Sequence, residues 1–409
     1  MPTKTLKIAM LSVHASPLGR LGTRDTGGMS VYVQELAVAL GKRGHRVDIY
    51  TRHHGGGSGK SVTLADNVRL LHVKTGNGNP EDKMALYSHL DEFFQKMDRL
   101  RWEKSLSYDI IHSHYWLSGE VGQMAQQRWL IPHMFMFHTV AAMKNGATAE
   151  EREPRLRIDA EMRLAKTCQR ILVATDSEKQ QLQQHYDVAA EAVDVVPCGV
   201  NLDIFRPIDK LAAREQLAFD PDEAIILYVG RFVPLKGIER LLEAVKYLQH
   251  LPWLRLVLVG GDGPDTAETR NLQRICRQLG IHQRVTFTGS LPQTDLPPYY
   301  SAADVLVLPS RYESFGLVAL EALASGTPVV ATRVGAMEDV LRQGETGHLV
   351  GNGSARLLAS GIDSFIARRH TLSPEKIRAS VQQYSWARVA TAMIEQYRTV
   401  FREYHAVRN

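Results

Sequence analysis

Short apolar runs alternate with amphipathic stretches along most of this chain. Ile8–Val13 reads as a compact buried strand. Met29–Gly44 reads as a helix, because Val33, Leu36, Ala37 and Leu40 keep the 3.6-residue period and Gly44 stops it. Further strands are expected at Arg46–Thr51, Val68–Val73, Asp109–His112, His133–Phe137 and Arg170–Ala174. A second series opens at Ala224–Val229 and continues at Arg255–Val259, Val285–Thr288, Asp304–Leu308 and Pro328–Thr332. Helical segments fall between the strands. Repeated βα units of this kind predict an α/β protein with doubly wound parallel sheets and ligands at the carboxyl ends of the strands. The two series predict two domains, 1–203 and 204–385, with a hinge in Pro197–Pro207 and a last helix (386–409, regular over Trp386–Tyr404) returning to the first.

Composition narrows the class. At 409 residues the chain exceeds one ordinary core. With 44% hydrophobic and 23% charged residues it matches a soluble globular protein. The net charge of +5 suits an anionic small substrate, and no dense Lys/Arg stripe argues for nucleic acid. Cys168, Cys198 and Cys276 are scattered and odd in number, so a disulfide framework is not expected. Basic Met1–Lys7 precedes an apolar run too short for a signal peptide, and no stretch approaches a membrane span. A cytoplasmic location is expected.

Several segments carry candidate chemistry. In Arg311–Glu321 two carboxylates, Glu313 and Glu321, flank an expected helix start, with Ser314 as N-cap and the amides of Phe315, Gly316 and Leu317 among its unpaired donors. Those donors and the helix dipole favour an anion. Carboxylates on either side of an anion cradle suit the hydroxyls and phosphate of a sugar nucleotide. Gly230–Gly237 follows the first strand of the second series and carries Arg231 and Lys236, two cations placed to neutralise a diphosphate. The long connection His14–Gly28 ends in Gly27-Gly28 at a helix start, where paired glycines let backbone approach a ligand. Phe137-His138-Thr139 also ends a strand.

Other features have plainer readings. Gly55–Ser61 resembles a phosphate loop but has His54 where glycine is needed, so it reads as a surface loop. His112 and His114 lack a third ligand nearby and do not make a metal site. The charged run Arg152–Lys166 reads as a solvated helix face.

Taken together these segments resemble the retaining glycosyltransferases of family 4, over nearly the whole chain. The resemblance rests on Gly27-Gly28, on the Gly-Arg…Lys-Gly loop at Gly230–Gly237, on Val259–Gly263, and on Glu313 and Glu321 with seven residues between. It implies a GT-B fold, with two facing Rossmann-like domains. It implies that Arg231 and Lys236 bind the donor diphosphate and that Glu313 holds donor-sugar hydroxyls. Phe315, Gly316 and Leu317 would contact sugar and phosphate through their amides, and Glu321 would bind the ribose. His138 would stand near the reacting centre. Gly28, Gly230 and Gly261 would line the donor, with the base near Ser290 and Leu291.

Within the family, His112–Gly119 and His138–Asn145 look like D-inositol 3-phosphate glycosyltransferases, with sucrose-phosphate synthases as close relatives. Both use small phosphorylated acceptors, and the matching positions are Gly27, Lys83, Tyr115, Thr139, Lys144 and Arg157. Gly27-Gly28-Met29 favours the inositol-phosphate group.

The implied reaction moves a hexosyl group, glucose or N-acetylglucosamine, from a UDP-sugar to a hydroxyl with retention. The donor phosphate would accept the proton. Asp220-Pro221-Asp222 is the only Asp-x-Asp and lies in a loop, so no cofactor and no catalytic metal are expected. Three alternatives stay open: transfer to fructose 6-phosphate, transfer to a lipid-linked glycan at the membrane surface, and a non-enzymatic sugar-binding protein. Self-association into a homodimer is also left open.

Overall fold

A computed structural model describes residues 5–19, 27–53, 61–76, 83–147, 152–263, 265–351 and 354–406. The chain forms two compact units. The first comprises the first strand, Gly28–Pro197 and the segment from Trp386 onward; the second is Cys198–Ser385. The glycine-rich loop at 54–60 and residues 20–26 of the 14–28 connection lie outside the described residues.

The first unit is built on an eight-stranded sheet. In chain order its strands are β1 (Lys7–Leu11), β2 (Arg46–Arg52), β3 (Val62–Ala65), β4 (Val68–Val73), β5 (Ile110–His114), β6 (His133–Met136), β7 (Arg170–Val173) and β8 (Val193–Val195). They lie in the order β3-β4-β2-β1-β5-β6-β7-β8, and only the β3–β4 pair is antiparallel. The chain therefore winds outward in both directions from β1 and β5, which pair from Ile8↔Ile110 onward. Helices cover both faces, so β1, β5 and β6 are buried almost throughout and read as continuous apolar runs. Phe93, Trp116, Phe135, Phe137 and Tyr186 fill one side of this core. The last helix, Trp386–Ala406, packs here: Trp386 meets Tyr32 edge-on, and the Tyr397 hydroxyl lies 2.7 Å from His112 Nδ1.

The second unit has a six-stranded sheet of β9 (Ala224–Val229), β10 (Leu254–Val259), β11 (Val285–Gly289), β12 (Val305–Leu308), β13 (Val329–Thr332) and β14 (Gly347–Val350). Their order is β11-β10-β9-β12-β13-β14, all parallel. Winding reverses between β9 and β12. In open α/β sheets, ligands bind outside the carboxyl ends of the strands at such a reversal. In the second unit Gly230, Arg231, Ser290 and Leu291 follow the carboxyl ends of their strands, and in the first Tyr115 and His138 do.

Helix Asp176–Tyr186 shows how local sequence sets an element. Thr175 Oγ1 accepts the Glu178 amide at 3.0 Å, and Glu178 Oε2 accepts the Ala174 amide at 3.0 Å, the reciprocal pattern of a capping box shifted by one residue. Glu178 is buried, and burial pushes its carboxyl up to about 7. The folded chain thus holds a proton that the unfolded chain, with an ordinary carboxyl near 4.3, gives up earlier. This contribution to stability is complete below pH 4 and is lost as pH rises through 7. Glu178→Gln should therefore gain stability over wild type between pH 5 and 8, by roughly 3 kcal/mol at the upper end. Parallel denaturant melts at the two pH values check this, and a constant difference would contradict it.

Candidate active site

At the reversal point of the second sheet, two loops run side by side. The loop after β9 carries Gly230 and Arg231, then a 3-10 turn Pro234–Lys236 closed by Gly237. The loop after β12 runs from Pro309 to Gly316. The Arg311 amide donates to the Leu235 carbonyl at 2.8 Å. Gly237 adopts φ +65°, and a Cβ there would stand 2.1 Å from the Pro309 carbonyl oxygen, so only glycine lets the loops come this close.

That approach brings Lys236 Nζ to 2.6 Å from Glu313 Oε1, which also accepts the Ser310 hydroxyl at 2.7 Å. The pair is about one-fifth exposed on the lysine side and one-tenth on the glutamate side. The two residues assigned from sequence to phosphate and to sugar are therefore partners of each other here. Ser310, absent from the sequence-based set, orients the carboxylate. Arg231 is partly buried on the same loop, its carbonyl taken by the Tyr228 hydroxyl at 2.9 Å.

The helix that follows begins later than expected. It spans Leu317–Ala324, and its N-cap is Gly316 in the left-handed region at φ +100°, not Ser314. The left-handed backbone at 316 favours glycine, and a Cβ there would also lie 2.7 Å from Met337 Cε. Phe315 and Gly316 thus precede the helix, while Leu317 supplies its first amide. The Ala319 amide bonds back to the Gly316 carbonyl at 2.9 Å. The buried Phe315 is pinned through its carbonyl, which accepts the Ala336 amide at 3.0 Å. One turn into the helix, buried Glu321 accepts from Gln293 Nε2 at 2.8 Å and from the Tyr300 hydroxyl at 2.7 Å. Neither Gln293 nor Tyr300 stood out in the sequence. Ser290 and Leu291 directly follow β11, partly buried, and Gly261 closes β10.

The first unit gathers its own group. Tyr115, at the end of β5, takes φ +74°, and His138, just beyond β6, takes φ +59°. Non-glycine residues held there store strain, which clusters at functional sites. His138 Nε2 lies 2.9 Å from His114 Nδ1, and Tyr32 packs edge-on against both rings. Desolvation draws the His138 imidazole down to about 3, although the residue as a whole is only partly buried. The ring is neutral at physiological pH and can hydrogen-bond without contributing charge. Among the described residues, no group of three or more His, Cys, Asp or Glu side chains is placed to hold a metal.

Around Tyr115 the expected acceptor residues converge. The Arg157 guanidinium lies over its ring at 4.6 Å and the Lys83 ammonium at 5.5 Å. Arg157 Nη2 donates to the Thr139 carbonyl at 2.7 Å and to its hydroxyl at 2.9 Å. Lys144 is ion-paired with Glu153, and Glu153 also meets Arg157 Nη1 at 2.9 Å. Arg157 Nε reaches Glu161 at 2.6 Å.

The charged run here is consequently a solvated face only in part: Arg152, Arg155, Arg163 and Lys166 are exposed. Helix Arg155–Thr167 buries Arg157 and Glu161 almost completely. The i,i+4 spacings Glu153–Arg157 and Arg157–Glu161 were the available signal for this network. Against the cost of burial, Glu161, Tyr115 and Glu153 hold Arg157 firmly charged. Gly27 and Gly28 stand at the start of helix Gly28–Lys42, apart from any contact described above.

Two Rossmann-like parallel sheets, each with charged and glycine-bearing loops at its reversal point, define a GT-B glycosyltransferase. Comparison with known proteins gives the family. The profile of Glycosyltransferase Family 4 matches residues 26–204, and that of Glycosyl transferases group 1 matches 209–384. The chain is 38% identical to the D-inositol 3-phosphate glycosyltransferases of Mycobacterium bovis and Mycobacterium tuberculosis, over 98% of this chain and 85% of theirs. Among solved structures, sucrose-phosphate synthase from Thermosynechococcus elongatus superposes with a TM-score of 0.90 at 32% identity, covering 97% of this chain and all of that one. An Anabaena protein solved with UDP and glucose shares the fold, with a TM-score of 0.75 at 19% identity over 96% of this chain and 99% of that one. The chain belongs to glycosyltransferase family 4 and is a glycosyltransferase.

Proposed function

We propose that this enzyme transfers a hexosyl group, glucose or N-acetylglucosamine, from a UDP-sugar to a small phosphorylated polyol, an inositol phosphate, with retention at the anomeric carbon. The observation that carries the reading is that Lys83 and Arg157 lie over the Tyr115 ring, with Thr139 hydrogen-bonded to Arg157 and Lys144 joined to it through Glu153. Two cations over an aromatic ring, a third joined to them through Glu153 and a hydroxyl beside Arg157 suit a phosphate attached to a carbon ring. In the second unit, Arg231, Lys236 and the amide of Leu317 would take the donor diphosphate and Glu321 its ribose. Glu313, released from Lys236, would hold sugar hydroxyls. As the glycosidic bond breaks, charge grows on the leaving phosphate, and preorganised cations and helix-end amides stabilise it. The leaving phosphate accepts the acceptor's proton, and His138 stands as a neutral hydrogen-bonding group near the reacting sugar.

The sucrose-phosphate synthase likeness favours a second reading, transfer to fructose 6-phosphate. No helix among the described residues is long and apolar enough to cross a membrane, and a cytoplasmic site of action accords with water-soluble substrates.

A donor–acceptor matrix tests both readings. It sets UDP-, ADP- and GDP-sugars against inositol phosphate, fructose 6-phosphate, glycerate and unphosphorylated sugars, each with and without chelator. The highest kcat/KM is expected for a UDP-hexose with inositol phosphate, undiminished by chelator. Removing the acceptor phosphate should cost about 100-fold or more, since an uncharged group replaces none of its charge-assisted hydrogen bonds. Equal turnover of unphosphorylated sugars would refute the acceptor class.

A further inference from the structure

We propose that Glu153 is a resident stand-in for the acceptor's phosphate: its carboxylate bridges Lys144 and Arg157 and must be displaced before a phosphorylated acceptor can bind. This rests on the acceptor reading given above and adds to it a residue that selects acceptors by charge.

The two carboxylates on Arg157 are held differently. Glu161 is fully enclosed; besides Arg157 Nε, it accepts the Ala141 amide at 2.8 Å and the Tyr186 hydroxyl at 2.5 Å. Its bonds span three separate segments, so it is a fixed part of the unit. Glu153 remains about one-sixth exposed, and its carboxylate is bonded by the two cations, Lys144 and Arg157. Its backbone is tied down instead: its amide donates to Asn145 Oδ1 at 2.6 Å, and its carbonyl accepts from Asn145 Nδ2 at 3.3 Å. The main chain is therefore anchored beside Lys144 while the side chain is free to rotate toward solvent. Burial alone would raise this carboxyl, yet Arg157 and Lys144 bring it below the ordinary range, so it is ionised when the site is empty.

Charge balance explains the role. Lys144 and Arg157 meet Glu153 and Glu161, and Lys83 lies across the Tyr115 ring, so the charges around the ring sum to +1. With Glu153 swung out the sum is +2, which a phosphate carrying nearly two negative charges neutralises. An uncharged hydroxyl offers two cations nothing to replace a carboxylate and leaves Glu153 in place. The stand-in thus keeps buried cations paired in the empty enzyme and penalises acceptors without phosphate.

Titration calorimetry of inorganic phosphate into the wild-type protein and Glu153→Gln tests this, beside kinetics with phosphorylated and unphosphorylated acceptors. Glu153→Gln should bind phosphate about tenfold more tightly, the size expected when a charge-assisted hydrogen bond no longer has to be broken. Its acceptor KM should fall while its donor KM is unchanged, and its preference for phosphorylated acceptors should narrow. Because a glutamine amide could retain part of the bridge, Glu153→Ser must shift affinity in the same direction. Wild-type binding of phosphate with equal or weaker binding by both variants would overturn the stand-in role while leaving the acceptor reading intact. Absence of phosphate binding in all three proteins would overturn both.

Discussion

Replacing Lys236 with alanine should lower kcat by about 10²- to 10³-fold, with a normal circular dichroism spectrum and little change in acceptor KM. Lys236 lies at the carboxyl end of β9, where the sheet reverses its winding, on a turn closed by Gly237. A fixed cation there stabilises charge that develops only as the leaving group departs, so its loss falls on the chemical step. Removing it also leaves the Glu313 carboxylate with the Ser310 hydroxyl but without its cation. Lys236→Ala combined with Glu313→Gln should therefore be less than additive, because each single change disturbs the same pair. Near-normal turnover in Lys236→Ala would overturn the assignment of the donor site to this edge.

Arg157→Met should cost about 3–5 kcal/mol of stability, because it removes the cation paired with fully buried Glu161 and one of the two cations on Glu153. All three nitrogens of Arg157 are engaged, with Glu161, Glu153 and Thr139, and its side chain is only 2% exposed. Denaturant melts give the loss directly. Adding Glu153→Gln and Glu161→Gln to Arg157→Met should recover most of the stability, since no buried carboxylate then lacks a partner. Activity should not return, because the Arg157 guanidinium assigned to the acceptor is not restored. A single Arg157→Met variant as stable as wild type would contradict the buried network.

The contrast between these residues shows what the sequence could and could not convey. The strands at the centre of each sheet were legible because both of their faces are covered, which leaves an unmistakable apolar run: β9 falls on Ala224–Val229, as expected, and β1, Lys7–Leu11, lies within two residues of the expected Ile8–Val13. The short edge strands β3, β8 and β14 were not. Val62–Ala65 is largely exposed and shows no alternation, and Gly347–Val350 opens on a glycine and becomes a strand through its pairing with β13. Glu313, Glu321, Arg231 and Lys236 could be picked out because their spacing around glycines is distinctive. Their supports could not: Gln293 and Tyr300 reach Glu321 from segments more than twenty residues away. Ser314 was a reasonable N-cap by residue type, but the chain reaches the helix through a left-handed residue at Gly316, which residue type at 314 does not reveal. Arg157 and Glu161 looked solvated because local sequence does not reveal that Tyr115 and Tyr186 cover that helix face.

The most direct test is a crystal structure of the protein soaked with UDP. The diphosphate is expected against Arg231, Lys236 and the first turn of helix Leu317–Ala324, with the ribose hydroxyls on Glu321 and the Lys236–Glu313 pair opened. Nucleotide bound away from the ends of β9 and β12, with that ion pair still closed, would contradict the account.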